Sequence, residues 1–265
     1  MPISDFATYK SKIITPSQRI QDTKTSTTSV AGRLVSMWRT SPFGADVPGA
    51  ADTCSSSTTG ALGQLNGSTT QRIAQISVSL QQSAYIIVAD RLVESGGLSG
   101  TVTTPQSVDT PSLTRYTNGV GVVPFLEIYT TVGTTGTIAT VSYTNQSGTS
   151  GRIGYAGIGG TGFNAAQRSL VINLQAGDSG VRSVESVTLA GSTGTVGNFG
   201  VTLAKPLYFM PVPNLGSQQF LFDSVMTCCG NMPVIQNNAC LYYLASTFTN
   251  STGVYQSAIR FIEDE

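Results

Sequence analysis

From about residue 71 to the C-terminus the chain repeats one pattern: a short run in which apolar and polar residues alternate, then a turn carrying glycine or asparagine. A period of two is what a half-buried strand requires, because successive side chains point to opposite faces. Ile76, Val78 and Leu80 alternate with Ser77 and Ser79. Leu126 to Thr130 and Thr137 to Thr144 alternate too, the latter placing Val141 and Tyr143 on one face. Leu170, Ile172 and Leu174 oppose Ser169, Val171 and Asn173; Val187 and Leu189 flank Thr188; Val201 and Leu203 flank Thr202. Tyr85-Ile86-Ile87-Val88 is continuously apolar, as a strand covered on both faces would be. Phe220 with Phe222, Leu241 to Leu244, and Ala258 to Ile262 complete the set. Gly96-Gly97, Asn118-Gly119, Gly133, Gly148, Gly151, Gly177-Asp178, Gly191, Gly194, Gly197 and Asn250 to Gly253 punctuate these runs. Short strands at this spacing, without intervening helices, predict an all-β sandwich or barrel, with a jelly-roll-like β-sandwich the preferred form.

The N-terminal part reads differently. Ile3, Phe6, Tyr9 and Ile13 recur at helical spacing after Ser4, a natural cap, and Thr15-Pro16 ends that run. Val30, Leu34 and Trp38 suggest a second short helix before Pro42. Residues 1–45 are therefore expected to form a short, partly helical arm or attachment, and residues 46–265 the β region. That region is either one sandwich or two β subdomains divided near residues 151–162. Residues 41–70 read as loop, with Pro42, Gly44, Pro48, Gly49 and the run Cys54 to Gly60.

Composition narrows the function. Only 11% of the 265 residues are charged, 14 basic against 14 acidic, where ordinary globular proteins carry roughly a quarter. Such a chain has no broad basic face for phosphates, so nucleic acid is not an expected partner. Lys10, Lys12, Arg19, Lys24, Arg33 and Arg39 concentrate in the first forty residues, but Asp5 and Asp22 dilute them. No run of 18 apolar residues is present, so no membrane span is expected. The start Met1-Pro2-Ile3-Ser4-Asp5-Phe6 lacks the features of a secretory signal, which leads to the expectation of folding in a cytosol. The acceptor sequons at Asn66, Asn145 and Asn250 then carry little information.

The chain has no histidine. This removes the Ser-His-Asp and Cys-His devices, the commonest general base and the usual zinc ligand sets. Gly157-Ile158-Gly159-Gly160-Thr161-Gly162 satisfies the dinucleotide fingerprint formally, but Phe163 to Arg168 is too short for the crossover helix that the fingerprint needs, so a glycine-rich turn is expected. Cys228 and Cys229 are adjacent and, with Cys54 and Cys240, lack metal-site spacing; reduced, packed thiols are expected. Asp90, Glu94, Asp109, Glu127, Asp178, Glu185 and Asp223 could supply a glycosidase-type pair, yet nothing in the sequence selects two of them. Accordingly no catalytic, cofactor-binding or metal-binding residue is assigned, no cofactor is expected, and the chain reads as a non-enzyme.

Three stretches carry a resemblance: Asp90 to Thr104 (DRLVESGGLSGTVTT), Leu113 to Val122 (LTRYTNGVGV) and Val141 to Arg152 (VSYTNQSGTSGR). In this order and spacing they resemble virion structural proteins of tailed bacteriophages, of the capsid cement or decoration class. The resemblance covers residues 84–155 best. It implies a virion protein, assembled in the host cytoplasm and bound in many copies to the outer head surface. There it would stabilise contacts between capsomers, with the major capsid protein as partner and a homotrimer as the oligomer. It brings no active-site residues. A tail, neck or fibre component with an adhesive role is the second reading. A carboxylate-dependent polysaccharide depolymerase is the third.

Overall fold

The structure is a computed structural model, and it describes residues 6–14, 18–25, 30–42, 44–62, 70–81, 83–213, 220–223, 232–250 and 253–263. Among these lie one helix, α1 (Phe6–Ile14), and sixteen strands: β1 (Gln18–Thr25), β2 (Leu34–Ser36), β3 (Asp52–Thr53), β4 (Gln71–Leu80), β5 (Ala84–Glu94), β6 (Gln106–Ser107), β7 (Val123–Thr130), β8 (Thr137–Asn145), β9 (Arg152–Ile158), β10 (Ser169–Val171), β11 (Val181–Leu189), β12 (Asn198–Val212), β13 (Phe220–Asp223), β14 (Val234–Ile235), β15 (Leu241–Thr247) and β16 (Val254–Glu263). The protein is all-β with one short helix, as the alternation predicts.

Three antiparallel sheets form. The first runs β1-β16-β4-β13, with β14 also on β4. The second, β10-β7-β12-β5-β15-β2, nearly closes on itself: Val35 in β2 bridges Arg168, and the Ser36 amide donates to the Gln167 carbonyl at 2.8 Å just before β10. The third runs β6-β11-β8-β9. Full closure removes exposed strand edges, so the barrel-like sheet can serve as the spine.

Each face of that spine is buried against something different. Ile86, Val88, Met210 and Tyr243 on one stretch pack against Ile73, Ile76, Ile259 and Phe261 of the first sheet. Further along the same strands, Leu92, Leu126, Phe199, Val201 and Leu203 pack against Val141, Tyr143, Val184 and Val187 of the third sheet. Inside the barrel lie Trp38, Ala89, Phe125, Ala204, Tyr242 and Leu244. The two outer cores thus meet along β5 and β12. Residues 152–158 are a strand paired with β8 within the second of these cores.

Several expectations are corrected here. Val30, Leu34 and Trp38 do not lie on a helix: Leu34–Ser36 is β2, paired with Leu244 to Ser246, and Trp38 follows it into the barrel core. Among the described residues of the expected arm α1 is helical, as expected, while β1 pairs along its whole length with β16. Tyr85 to Val88 is not covered on both faces: Ile86 and Val88 are buried, but Tyr85 stays exposed. Conversely, Leu126 to Tyr129 is buried on both faces, because its polar side points into the barrel. α1 itself follows the expected spacing, with Tyr9 buried against Ala74, Met232 and Ile262 and Ile13 packed beside it. Ile3, Ser4, Thr15 and Pro16 lie outside the described residues.

Candidate functional site

Asp90 and Arg91 are consecutive in β5, so their side chains leave opposite faces of the strand. Arg91 enters the barrel, where it is fully buried. Its Nη1 lies 2.6 Å from Glu127 Oε2, its Nε 3.1 Å from Glu94 Oε2, and its Nη2 donates to the Tyr129 hydroxyl at 3.2 Å. The guanidinium also sits 4.6 Å from the Trp38 ring and 5.4 Å from that of Tyr242. Thr202 Oγ1 donates to Glu127 Oε2 at 2.6 Å. Burial alone would lower the Arg91 pKa. The charge of Glu127, followed by Tyr129 and Glu94, outweighs it and holds the pKa well above its ordinary value. Burial also raises the Tyr129 and Tyr242 hydroxyls, which stay protonated.

Asp90 faces outward, where Arg115 grips it through two bonds of 2.8 Å from Nε and Nη2. The Cys240 amide donates to Asp90 Oδ1 at 2.8 Å, and Arg115 Nη2 also reaches the carbonyls of Cys54 and Arg91 at 3.0 and 3.1 Å. Burial raises the Asp90 carboxyl, against the pull of Arg115 and the Cys240 amide. Such a cluster ties β3, β5, β15 and the segment around Arg115 together. A buried pair contributes little beyond an apolar replacement, but losing one partner leaves an uncompensated charge.

The other candidate carboxylates are scattered over the molecule. Asp178 accepts from Arg152 Nε at 2.9 Å, from the Tyr143 hydroxyl at 2.5 Å and from Asn145 Nδ2 at 2.7 Å. The bonds from Arg152, then Tyr143, hold its carboxyl down at about 2. Glu185 accepts from Thr144 and Ser183 hydroxyls, both at 2.8 Å. Asp223 accepts from the Tyr9 hydroxyl and from Gln75 Nε2, both at 2.7 Å. Asp109 is exposed in a left-handed turn, φ 44°. Only Glu94 and Glu127 of the seven meet at one common side chain through these bonds, and it is an arginine, Arg91.

Gly157 to Gly162 ends β9 and turns, with Gly159, Gly160 and Gly162 all at positive φ. Cys54 and Cys240 are buried free thiols, while Cys228, Cys229 and Asn66 lie outside the described residues. Among the described residues no group of three or more Cys, Asp or Glu is placed to hold a metal ion. Asn145 is buried in the Asp178 network, and Asn250 Oδ1 accepts from the Ala31 amide at 2.8 Å. The basic residues near the N-terminus do not share one surface: Lys24 is buried, Arg33 lies over the Phe163 ring, and Arg39 bonds the Tyr129 carbonyl.

Two surface features remain, and sequence reasoning singled out neither. On the side of β5, β12 and β15 turned away from the first sheet, Tyr85, Phe209 and Phe248 are 38, 59 and 50% exposed. Tyr85 stacks on Phe209 with centroids 5.0 Å apart and meets Phe248 edge-on at 5.0 Å. The signal was present in the alternation of Tyr208, Phe209 and Met210, which puts Phe209 opposite two core residues. On the outer face of the first sheet is a polar groove of about 760 Å³, lined by Arg19, Gln21, Gln75, Gln256, Ser257 and Arg260 among others.

No helix among the described residues is long and apolar enough to cross a membrane. No family model and no curated protein matches the chain. A solved structure described as that of infectious bursal disease virus Gt strain aligns over 93% of this chain and 81% of its own, at 9% identity and a TM-score of 0.18. That score is too low for a shared fold to be argued from it.

Proposed function

We propose that the protein is a capsid cement or decoration protein of a tailed bacteriophage, bound to the outer head surface and bridging capsomers. The observation that carries this reading is the aromatic patch of Tyr85, Phe209 and Phe248, left exposed while most other aromatic side chains among the described residues are buried. Exposed, clustered aromatics mark contact surfaces, since they supply area at low entropic cost. Charge is scarce around the whole molecule, so flat faces can be covered with little desolvation. Many such contacts repeated over a lattice would add by multivalency.

The three stretches that resemble phage virion proteins support the same reading in another way. They contain Asp90, Arg91 and Arg115 of the buried cluster and Asn145 and Arg152 of the Asp178 network. What the resemblance covers is therefore the framework of the fold. The partner in this reading is the major capsid protein, and the oligomer a homotrimer.

Particles made with and without the protein test it. The expected outcome is on the order of hundreds of copies per head, from repetition over a symmetric lattice, and heads that rupture at lower temperature when it is missing. Roughly six or twelve copies at a vertex, the numbers of a symmetric neck or tail, or unchanged head stability, would overturn it.

A further inference from the structure

β5 is flanked by β12 along one edge, through pairs that extend from Ala84↔Val212 to Glu94↔Thr202. Two separate segments share its other edge. β15 pairs there with Ala84 to Asp90, and β3 with Val93 and Glu94. Both are antiparallel to β5, so they point the same way, one behind the other. Between them the Cys54 amide donates to the Leu92 carbonyl at 3.0 Å, and the Arg91 amide donates to the Cys240 carbonyl at 2.8 Å. Cys54 thus directly follows β3 and Cys240 directly precedes β15, at abutting positions along one edge of β5, with residues 55–239 looped out between them.

Both backbones are anchored, Cys54 by its carbonyl to Arg115 and Cys240 by its amide to Asp90. Both side chains join the cluster of Trp38, Ala89, Ala204 and Tyr242, and the Cys54 thiol is among the groups that raise the Cys240 pKa. A disulfide spans Cα atoms about 4.4–6.8 Å apart, and Cys54 and Cys240 bond to consecutive residues of β5, Leu92 and Arg91.

We propose that Cys54 and Cys240 are a latent disulfide, open while the protein is kept reduced and closed by a peroxide-class oxidant once it is not. One thiolate sulfur attacks peroxide; the O–O bond breaks, a sulfenic acid forms and hydroxide leaves. The second thiolate attacks the sulfenic sulfur; the S–S bond forms, the S–O bond breaks and a second hydroxide leaves. The two thiol protons convert both hydroxides to water, so two thiols are oxidised and one peroxide is reduced. Burial pushes the Cys240 thiol well above its ordinary pKa, so closure is slow. The product bolts β3 to β15 across the junction of the two outer cores.

The full chain carrying Cys228→Ser and Cys229→Ser is incubated with hydrogen peroxide or with dithiothreitol. The expected result is an intact mass lower by two hydrogens after peroxide and a linked peptide pair containing Cys54 and Cys240. The link is lost with dithiothreitol and absent in a Cys54→Ala variant, and the oxidised form melts several degrees higher. Peptide mapping of the unsubstituted chain reads the same link if the double variant folds poorly. Two alkylatable thiols in the unfolded oxidised sample, or oxygen added to either sulfur without a link, would overturn the proposal.

Discussion

Replacing Arg91 by methionine puts the barrel interior to a quantitative test. The Arg91 side chain is 0% exposed and Glu127 2%, whereas Glu94, the second carboxylate on Arg91, is 16% exposed and can turn to water. Without the guanidinium, Glu127 is left in the barrel with the Thr202 hydroxyl donating to it. Removing one partner of a buried pair costs about 3–5 kcal/mol. Against a total stability of roughly 5–15 kcal/mol, that is a large fraction. In urea, with a slope of about 2–3 kcal/mol/M, the midpoint falls by about 1–2 M. Glu127→Leu is expected to cost less, since Arg91 retains Glu94. The double variant Arg91→Met/Glu127→Leu removes both buried charges together and should recover about 2 kcal/mol or more relative to the sum of the singles. Urea unfolding of the four proteins, followed by tryptophan fluorescence, reads the cycle directly because Trp38 packs on Arg91. Single changes below about 1 kcal/mol, or a double variant equal to the sum, would refute the view that this pair is buried and coupled.

Asp178 has a depressed folded pKa of about 2, against an unfolded value of about 3.9. Its contribution to stability is therefore present above pH about 4 and lost as pH falls through about 2; carboxyl carbon titration by NMR checks the value, and Asp178→Asn should flatten melting temperature across that window. A Cβ on Gly200 would fall 1.8 Å from the Ser95 carbonyl oxygen, whereas one on Gly157 would meet nothing within 4 Å. Gly200→Ala is accordingly expected to cost at least about 1–3 kcal/mol and Gly157→Ala to stay near neutral, both read by thermal melts. Phe209→Ser with Phe248→Ser should leave stability within about 0.5–1 kcal/mol, as surface changes do, yet lower the copy number on purified heads. Normal occupancy would remove the patch from the contact.

The resemblance and the alternation were legible in different parts of the chain and to different depths. Ile76, Val78 and Leu80 alternate in the sequence and are buried in the structure, as are Val141 and Tyr143, because a period of two is a local property of the strand. The helix reading of Val30, Leu34 and Trp38 failed for an equally local reason. A spacing of four is even, so it suits a strand and its flanks as well as a helix face. The candidate carboxylates were all visible as residues, but their partners Arg91, Arg115 and Arg152 were not, since they lie 36, 25 and 26 residues from Glu127, Asp90 and Asp178, and no local pattern joins segments that far apart.

By itself the sequence determined that this is an all-β protein and which side of most strands is apolar, because strand periodicity and turn chemistry act over a few residues. Tertiary structure alone decided what each side faces. Glu127 occupies a polar position of an alternating strand, yet closure of the barrel turns that position inward to Arg91. Tyr85 opens an apolar run, yet the first sheet covers only the opposite face of β5 and leaves it in solvent. Burial is a relation between segments far apart in the chain, and Cys54 and Cys240, abutting across residues 55–239, become neighbours only through β5.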